Sequence, residues 1–265
     1  MAGRSYLFVP ADRPERYAKA LAAGAGAVIV DLEDAVAPEA KHAARRTLGA
    51  WLPGAPAPMI VRINAAETRW FADDLVLCAH PSIAGVVVPK AERRADLAHV
   101  SAVAAGKRLY PLIESAAGYD AMRTLASAPG VERVVFGSID FQVDLGIDGE
   151  GDELLMFRSQ MVLVSKLAGL RAPVDGVSTA IDDAEALRAD AERARKLGYG
   201  AKLCIHPRQV AIVERAFAPS DAERDWARRV LEAAERAGGA AVAVDGKMVD
   251  KPVMLRARAI LDDSG

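Results

Sequence analysis

A closed (β/α)8 barrel with a C-terminal helix-and-hairpin extension is the architecture this sequence predicts, on three observations. Eight short β-rich runs recur at an even pace up to residue 207, separated by Ala/Arg/Glu-rich stretches of helical pattern. The runs are continuously apolar rather than alternating, as parallel strands buried on both faces are. Almost every run ends in a charged or polar residue, and in such a barrel the C-terminal strand ends and the loops after them form the active face.

The elements follow in order. SYLFVP (5–10) leads into the helical PERYAKALAAG, and AVIVDL (27–32) into PEAKHAARRTLGAWL. PMIVRIN (58–64), GVVVPK (85–90) and RLYPLIE (108–114) supply the third to fifth strands. RVVFGS (133–138) comes before the helical LLMFRSQMVLVSKLAGL, APVDGV (172–177) before DDAEALRADAERARKLG, and AKLCIHP (201–207) completes the set. Several helical stretches end in glycine, a frequent helix stop. A doubly wound open sheet is the competing fold, but no G-x-G-x-x-G follows any strand. From residue 219 the pattern changes to a long polar helix, SDAERDWARRVLEAAERAGG, and then two short apolar runs joined by Asp-Gly, a hairpin signal. The expected division is therefore a catalytic barrel over 1–218 and an extension over 219–265.

Composition narrows the function. The chain has 265 residues, 52% of them hydrophobic, and a formal net charge of −2, which argues against nucleic acid or an anionic membrane as the main partner. Cys78 and Cys204 stand in no metal or redox spacing. The N-terminus meets charge and proline before any signal-like apolar run, and no segment reaches the ~18 uncharged apolar residues of a membrane span. A cytoplasmic protein is expected.

The chemistry concentrates at the strand ends. Asp31, Glu33 and Asp34 place three carboxylates within four positions, and like charges that close repel unless a cation or hydrogen-bond donors compensate. Arg62, Lys90 and a divalent cation are the expected compensation. Glu114 and Asp140, each the only acid at its strand end and on neighbouring strands, are the candidate ligands. Two carboxylate oxygens completed by water and substrate oxygens suit Mg²⁺, or Mn²⁺ in its place. Asp175 is another acid at a strand end. Arg13, Arg16 and Lys19 follow the first strand and are candidates for holding a phosphate. His206 is expected to cap the helix after it, and Cys204 to fill core space.

At these residues the sequence resembles the citrate lyase beta-subunit-like branch of the HpcH/HpaI aldolase superfamily, which includes malyl-CoA and citramalyl-CoA lyases. The resemblance rests on RSYLFVPADRPERYAKA, VIVDLEDAV, VRIN, VVVPK, PLIESAAG, VVFGSIDFQVDLG, AKLCIHPRQV and VDGKMVDKPV, in that order. It implies a TIM barrel, a homotrimer or larger assembly, and Mg²⁺ held by Glu114 and Asp140. Under it, Arg62 contacts the substrate carbonyl or enolate oxygen, with Glu33 beside it in the catalytic set. Gly137, Ser138 and Ile139, in a loop, offer backbone N–H groups to the carboxylate of a small 2-oxo acid. Asp31, Asp34, Lys90 and the Arg13/Arg16/Lys19 group complete the substrate and CoA contacts. Asp250 in MVDKP maps onto an acid/base that reaches a neighbouring subunit's site. Two departures bear on substrate size: Gly-Ser-Ile-Asp-Phe (137–141) stands where relatives often carry Gly-Thr-Glu-Asp-Leu, and Leu203 where the residue is often small.

The function implied is Mg²⁺-dependent cleavage of a 3-hydroxyacyl-CoA of the malyl-CoA or citramalyl-CoA type. The products are acetyl-CoA or a related acyl-CoA and glyoxylate or pyruvate. Three alternatives remain at this point: a malyl-CoA thioesterase, a class II aldolase acting on free pyruvate, and a citryl-carrier lyase subunit dependent on a partner.

Overall fold

The computed structural model describes residues 3–238 and 241–263. Along the chain run β1 (Ser5–Pro10), α1 (Tyr17–Leu21), β2 (Ala27–Asp31), α2 (Lys41–Trp51), β3 (Met59–Arg62), α3 (Phe71–Cys78), β4 (Ile83–Val88) and α4 (Arg94–Val103). Then follow β5 (Arg108–Ile113), α5 (Ala116–Ala126), β6 (Val135–Phe136), α6 (Ser138–Leu145), α7 (Leu155–Leu167), β7 (Val174–Asp175), α8 (Ala184–Leu197), β8 (Ala201–Cys204) and α9 (Pro207–Phe217). The eight strands pair in chain order and all in parallel, and β1 pairs with β8 through Ser5↔Lys202, Tyr6↔Leu203 and Leu7↔Cys204, which closes the sheet into a barrel. This is the (β/α)8 fold that the spacing predicts.

The strands are largely apolar because each has two buried faces. Tyr6, Ile29, Ile60, Val87, Leu112, Val135, Val174, Ala201 and Leu203 fill the barrel interior. Their chain neighbours Leu7, Val28, Val61, Val86 and Cys204 are equally buried, as a period of two requires when helices cover the outside. Burial pushes the Cys204 thiol up to about 12, in keeping with a core residue.

The chain divides after Glu214 into two compact units. In the second, α10 (Asp221–Arg236) begins with a reciprocal capping box between Ser220 and Glu223. β9 (Val242–Val244) and β10 (Lys247–Val249) form the antiparallel hairpin, turning at Asp245 and Gly246, both with positive φ (50° and 72°) as an Asp-Gly hairpin turn demands. α11 (Lys251–Asp262) packs with α10 around Ala227, Val230, Val249, Ala257 and Ile260. Among the described residues, no helix is long and apolar enough to cross a membrane.

Candidate active site

The C-terminal ends of β1, β2, β3, β5, β6, β7 and β8 and the loops after them surround a cavity of about 380 Å³. Asp31, Asp34, Arg62, Glu114 and Asp140 line its polar side, and Phe8, Leu112, Phe136, Ile139, Val177 and Leu203 its apolar side. Residues from distant parts of the chain meet here because each strand end projects toward the same mouth.

Arg62, the last residue of β3, is the hub of the acids. Its Nε donates to Asp31 Oδ1 (2.7 Å) and its Nη2 to Asp31 Oδ2 (2.6 Å), a bidentate pair across neighbouring strands. Nη1 lies 3.1 Å from Glu33 Oε2 and 3.3 Å from Asp34 Oδ2, and the ring of Phe8 stacks 4.8 Å from the guanidinium carbon. Burial opposes the arginine's charge, and the charge and hydrogen bonds of Asp31 together with Glu33 and Asp34 outweigh it, so Arg62 is held more firmly protonated than in water. Asp31 also accepts the backbone N–H groups of Glu33 (2.9 Å) and Ala35 (3.0 Å), which folds the chain back over the strand end.

Glu33 differs from Asp31. Its Oε2 is buried and makes no hydrogen bond, because Arg62 approaches it off the donor direction. Burial pushes the carboxyl up to about 9 against the pull of Arg62, and Glu114, Asp34 and Asp31 push the same way as burial. Burial therefore favours the protonated form of this side chain, beside a fixed cation.

Glu114 and Asp140 form the second acidic pair. Glu114 Oε1 accepts the Lys90 backbone N–H at 2.6 Å. Burial raises Glu114 to about 7, Asp140 and Asp34 add to the rise, and the Lys90 N–H and Arg62 oppose it. Gly137 lies against this carboxylate: a Cβ there would fall 2.5 Å from Glu114 Cβ and 2.8 Å from Oε2, so only glycine fits. The donor set fits a hard divalent cation. Among the described residues no group of three or more His, Cys, Asp or Glu side chains is arranged to hold a metal ion by itself. Two carboxylates that repel one another in an open pocket are what a partly hydrated Mg²⁺ takes up.

The 137–146 segment departs from the expected loop. Ser138–Leu145 is the helix α6, ended by Gly146 in the left-handed conformation. Gly137 donates its N–H to Ile113 O (2.9 Å), so it has none to offer a ligand. The first turn of α6 instead leaves the N–H groups of Ser138, Ile139 and Asp140 without an intrahelical acceptor, at the positive end of the helix. Phe141 anchors that turn from behind, edge-on to Phe136 (5.4 Å) and Phe157 (4.9 Å).

Other expected residues fall elsewhere. Lys90, with φ 44°, has an exposed side chain that lines a separate depression with Glu67, Glu92, Arg93 and Asp96. The second cation near the β2 acids is Lys41, whose Nζ donates to Leu32 O and Glu33 O. Arg13 and Arg16 are exposed and lie 3.8 and 3.9 Å from Asp12 and Glu15 beside them, and Lys19 is exposed as well. Asp175 does not face the cavity: it is buried between Arg158 (3.0 Å) and Lys202 (3.3 Å). His206 accepts the Arg208 N–H at 3.2 Å and caps α9. Asp250 belongs to the second unit, where its Oδ1 accepts the Val253 N–H (3.3 Å) and caps α11.

Residues 4–207 match the model of the HpcH/HpaI aldolase/citrate lyase family. A citrate lyase subunit beta-like protein of Deinococcus radiodurans is 41% identical over 277 residues, covering 97% of this chain and 96% of its own. A (3S)-malyl-CoA thioesterase of Cereibacter sphaeroides is 36% identical over 266 residues, covering 97% and 93%. Among solved structures, CitE of Mycobacterium tuberculosis in complex with magnesium, acetoacetate and coenzyme A matches with a TM-score of 0.88 at 36% identity, covering 100% of this chain and 98% of that one.

Proposed function

The chain belongs to the HpcH/HpaI aldolase/citrate lyase family, and on that premise we propose that it is a Mg²⁺-dependent carbon–carbon lyase acting on a 3-hydroxyacyl-CoA of the malyl-CoA or citramalyl-CoA type. The observation that carries this reading is the convergence of Glu114, Asp140 and the Asp31-clamped Arg62 on one cavity. Solved CitE with magnesium, acetoacetate and coenzyme A supports the choice of cation and substrate class.

Glu114 and Asp140 would hold Mg²⁺, which when bound supplies Lewis acidity and a template for the oxo-acid oxygens. The first turn of α6 offers the N–H groups of Ser138 and Ile139 to the substrate carboxylate. Cleavage removes the proton from the 3-hydroxyl, breaks the bond between C2 and C3, and leaves a thioester enolate that must gain a proton on carbon. Arg62, held in place by Asp31, stabilises oxyanion charge as it develops, the kind of fixed electrostatics that dominates such catalysis. Glu33, 3.1 Å from Arg62 Nη1 and pushed by burial toward its protonated form, is the proton source for the carbon end in this reading. Asp250, from the second unit of an adjacent copy in a homo-oligomer, takes the hydroxyl proton in this reading. The apolar side of the cavity, with Leu203 and Ile139, limits the size of the oxo-acid substituent.

A product assay tests the proposal. Purified protein is given malyl-CoA and citramalyl-CoA with Mg²⁺ or with EDTA, and 2-oxo acid and free thiol are followed separately. Oxo acid that appears only with Mg²⁺ is the expected result. A second reading, thioester hydrolysis, is favoured by the 36% identity to a (3S)-malyl-CoA thioesterase. Free thiol without oxo acid would establish it instead.

A further inference from the structure

Lys41 opens α2 and is only 6% exposed. Its Nζ donates to two consecutive main-chain oxygens, Leu32 O at 3.0 Å and Glu33 O at 2.8 Å. An ammonium buried that deeply is costly unless it is paired and hydrogen-bonded, so this placement is maintained at a cost. Asn64 grips the same peptide: its Nδ2 donates to Leu32 O (3.0 Å) and to Asp74 Oδ2 (2.7 Å). The indole of Trp70 lies 5.1 Å from the ammonium on a further side.

The held segment is the one that aims the acids. Asp31 Oδ1 is shared between the Glu33 N–H (2.9 Å) and Arg62 Nε (2.7 Å), and Glu33 Oε2 stands 3.1 Å from Arg62 Nη1. A rotation of the Leu32–Glu33 peptide removes the Glu33 N–H from Asp31 Oδ1 and moves Glu33 Oε2 away from Nη1, so two of the contacts that orient the Asp31–Arg62 pair depend on it. Asn64 also holds Leu32 O and the Val36 N–H (3.0 Å) also holds Glu33 O, but among the described residues Lys41 is the one side chain that ties the two carbonyls to each other, and it brings a cation beside the β2 acids. We propose that Lys41 is a positioning residue: it sets the orientation of Arg62 by clamping the Leu32–Glu33 main chain at the barrel rim. This deepens the lyase reading and depends on it only for the turnover measurement below.

The test begins with a signal that needs no substrate. The Arg62 Nε–H resonance in ¹⁵N NMR is identified by its loss in Arg62→Lys. In Lys41→Met its solvent exchange should accelerate by about tenfold or more, while the core amides of Leu112 and Val135 keep their wild-type rates. An unchanged Arg62 signal, or equal acceleration of the core amides, overturns the proposal. In the oxo-acid assay, kcat of Lys41→Met should fall roughly 10- to 100-fold with KM for the acyl-CoA nearly unchanged, the signature of misplaced rather than missing chemistry. Added ethylammonium should return part of that kcat to Lys41→Ala. A wild-type kcat in Lys41→Met overturns the clamp and leaves the lyase reading standing. Wild-type protein that releases no oxo acid overturns the lyase reading, and the exchange measurement then decides the clamp. Lys41→Gln, which keeps a donor for one carbonyl, carries the exchange test if the methionine variant does not fold.

Discussion

Asp31 and Arg62 face each other across β2 and β3 and are joined by two hydrogen bonds, Nε to Oδ1 at 2.7 Å and Nη2 to Oδ2 at 2.6 Å. The β2–β3 register pairs the same two residues along the backbone, so strand pairing and side-chain pairing reinforce one another. A planar guanidinium matches a carboxylate in this way and an ammonium does not. Arg62→Lys should therefore fold yet lose about 10²-fold in the rate of oxo-acid release, comparable to removing one oxyanion donor. Asp31→Ala breaks a buried pair and should cost about 3–5 kcal/mol in urea unfolding. Wild-type turnover in Arg62→Lys would remove the fork from the mechanism.

Glu33 gives a pH dependence with a defined sign. Its carboxyl lies near 9 in the folded chain and near its ordinary value of 4.5 when unfolded, so folding favours the protonated form. That stabilisation is complete below about pH 4.5 and is lost as pH rises through 9. Glu33→Gln stays neutral at every pH, so with EDTA present its melting temperature should exceed that of the wild type by a margin that grows between pH 5 and pH 9. A constant margin across that range would mean Glu33 is ionised in the folded chain throughout.

Gly137 tests the cation site through geometry. An alanine Cβ there meets Glu114 Cβ at 2.5 Å and must displace a carboxylate already fastened to the Lys90 N–H. Gly137→Ala should weaken Mg²⁺ binding in calorimetry by about tenfold or more, the scale of outer-contact losses at metal sites, while the barrel stays folded. Unaltered Mg²⁺ affinity would place the cation away from Glu114.

Asp250 has a structural duty that must be separated from any chemical one. As the cap of α11, its loss to alanine should cost about 0.5–2 kcal/mol. Asp250→Asn keeps a capping oxygen and should melt like the wild type, yet release no oxo acid. Mixing subunits of Asp250→Asn with subunits of Arg62→Lys should restore turnover if Asp250 acts on an adjacent copy. Full activity in Asp250→Asn alone would limit this residue to capping.

Much of the barrel was legible because a strand buried on both faces has a distinctive apolar run and a polar end. SYLFVP matches Ser5–Pro10 residue for residue, and AVIVDL overshoots Ala27–Asp31 by one. The α6 helix was not legible. Ile139, Phe141, Val143 and Leu145 alternate along the chain, a strand-like or irregular pattern. It is helical because Gly146 closes its C-terminus in the left-handed conformation and Phe141 is fixed among aromatic rings supplied from elsewhere in the chain. Lys41 was hidden for a similar reason. In PEAKHAARR it looks like one more solvated cation, and its burial depends on Trp70 and on the Leu32 and Glu33 carbonyls, which the fold brings to it.

The seam between β1 and β8 has a consequence for how the site comes into being. Phe8 and Leu203, both in the cavity wall, come from these two strands, the earliest and the last of the barrel to leave the ribosome. Every carboxylate that lines the cavity is already synthesised when β8 emerges, but the chamber has an open side until that strand docks beside the first. A nascent or partly folded chain thus carries the cavity's acids without an enclosure to exclude water, and the enclosure arrives with the final parallel pairing.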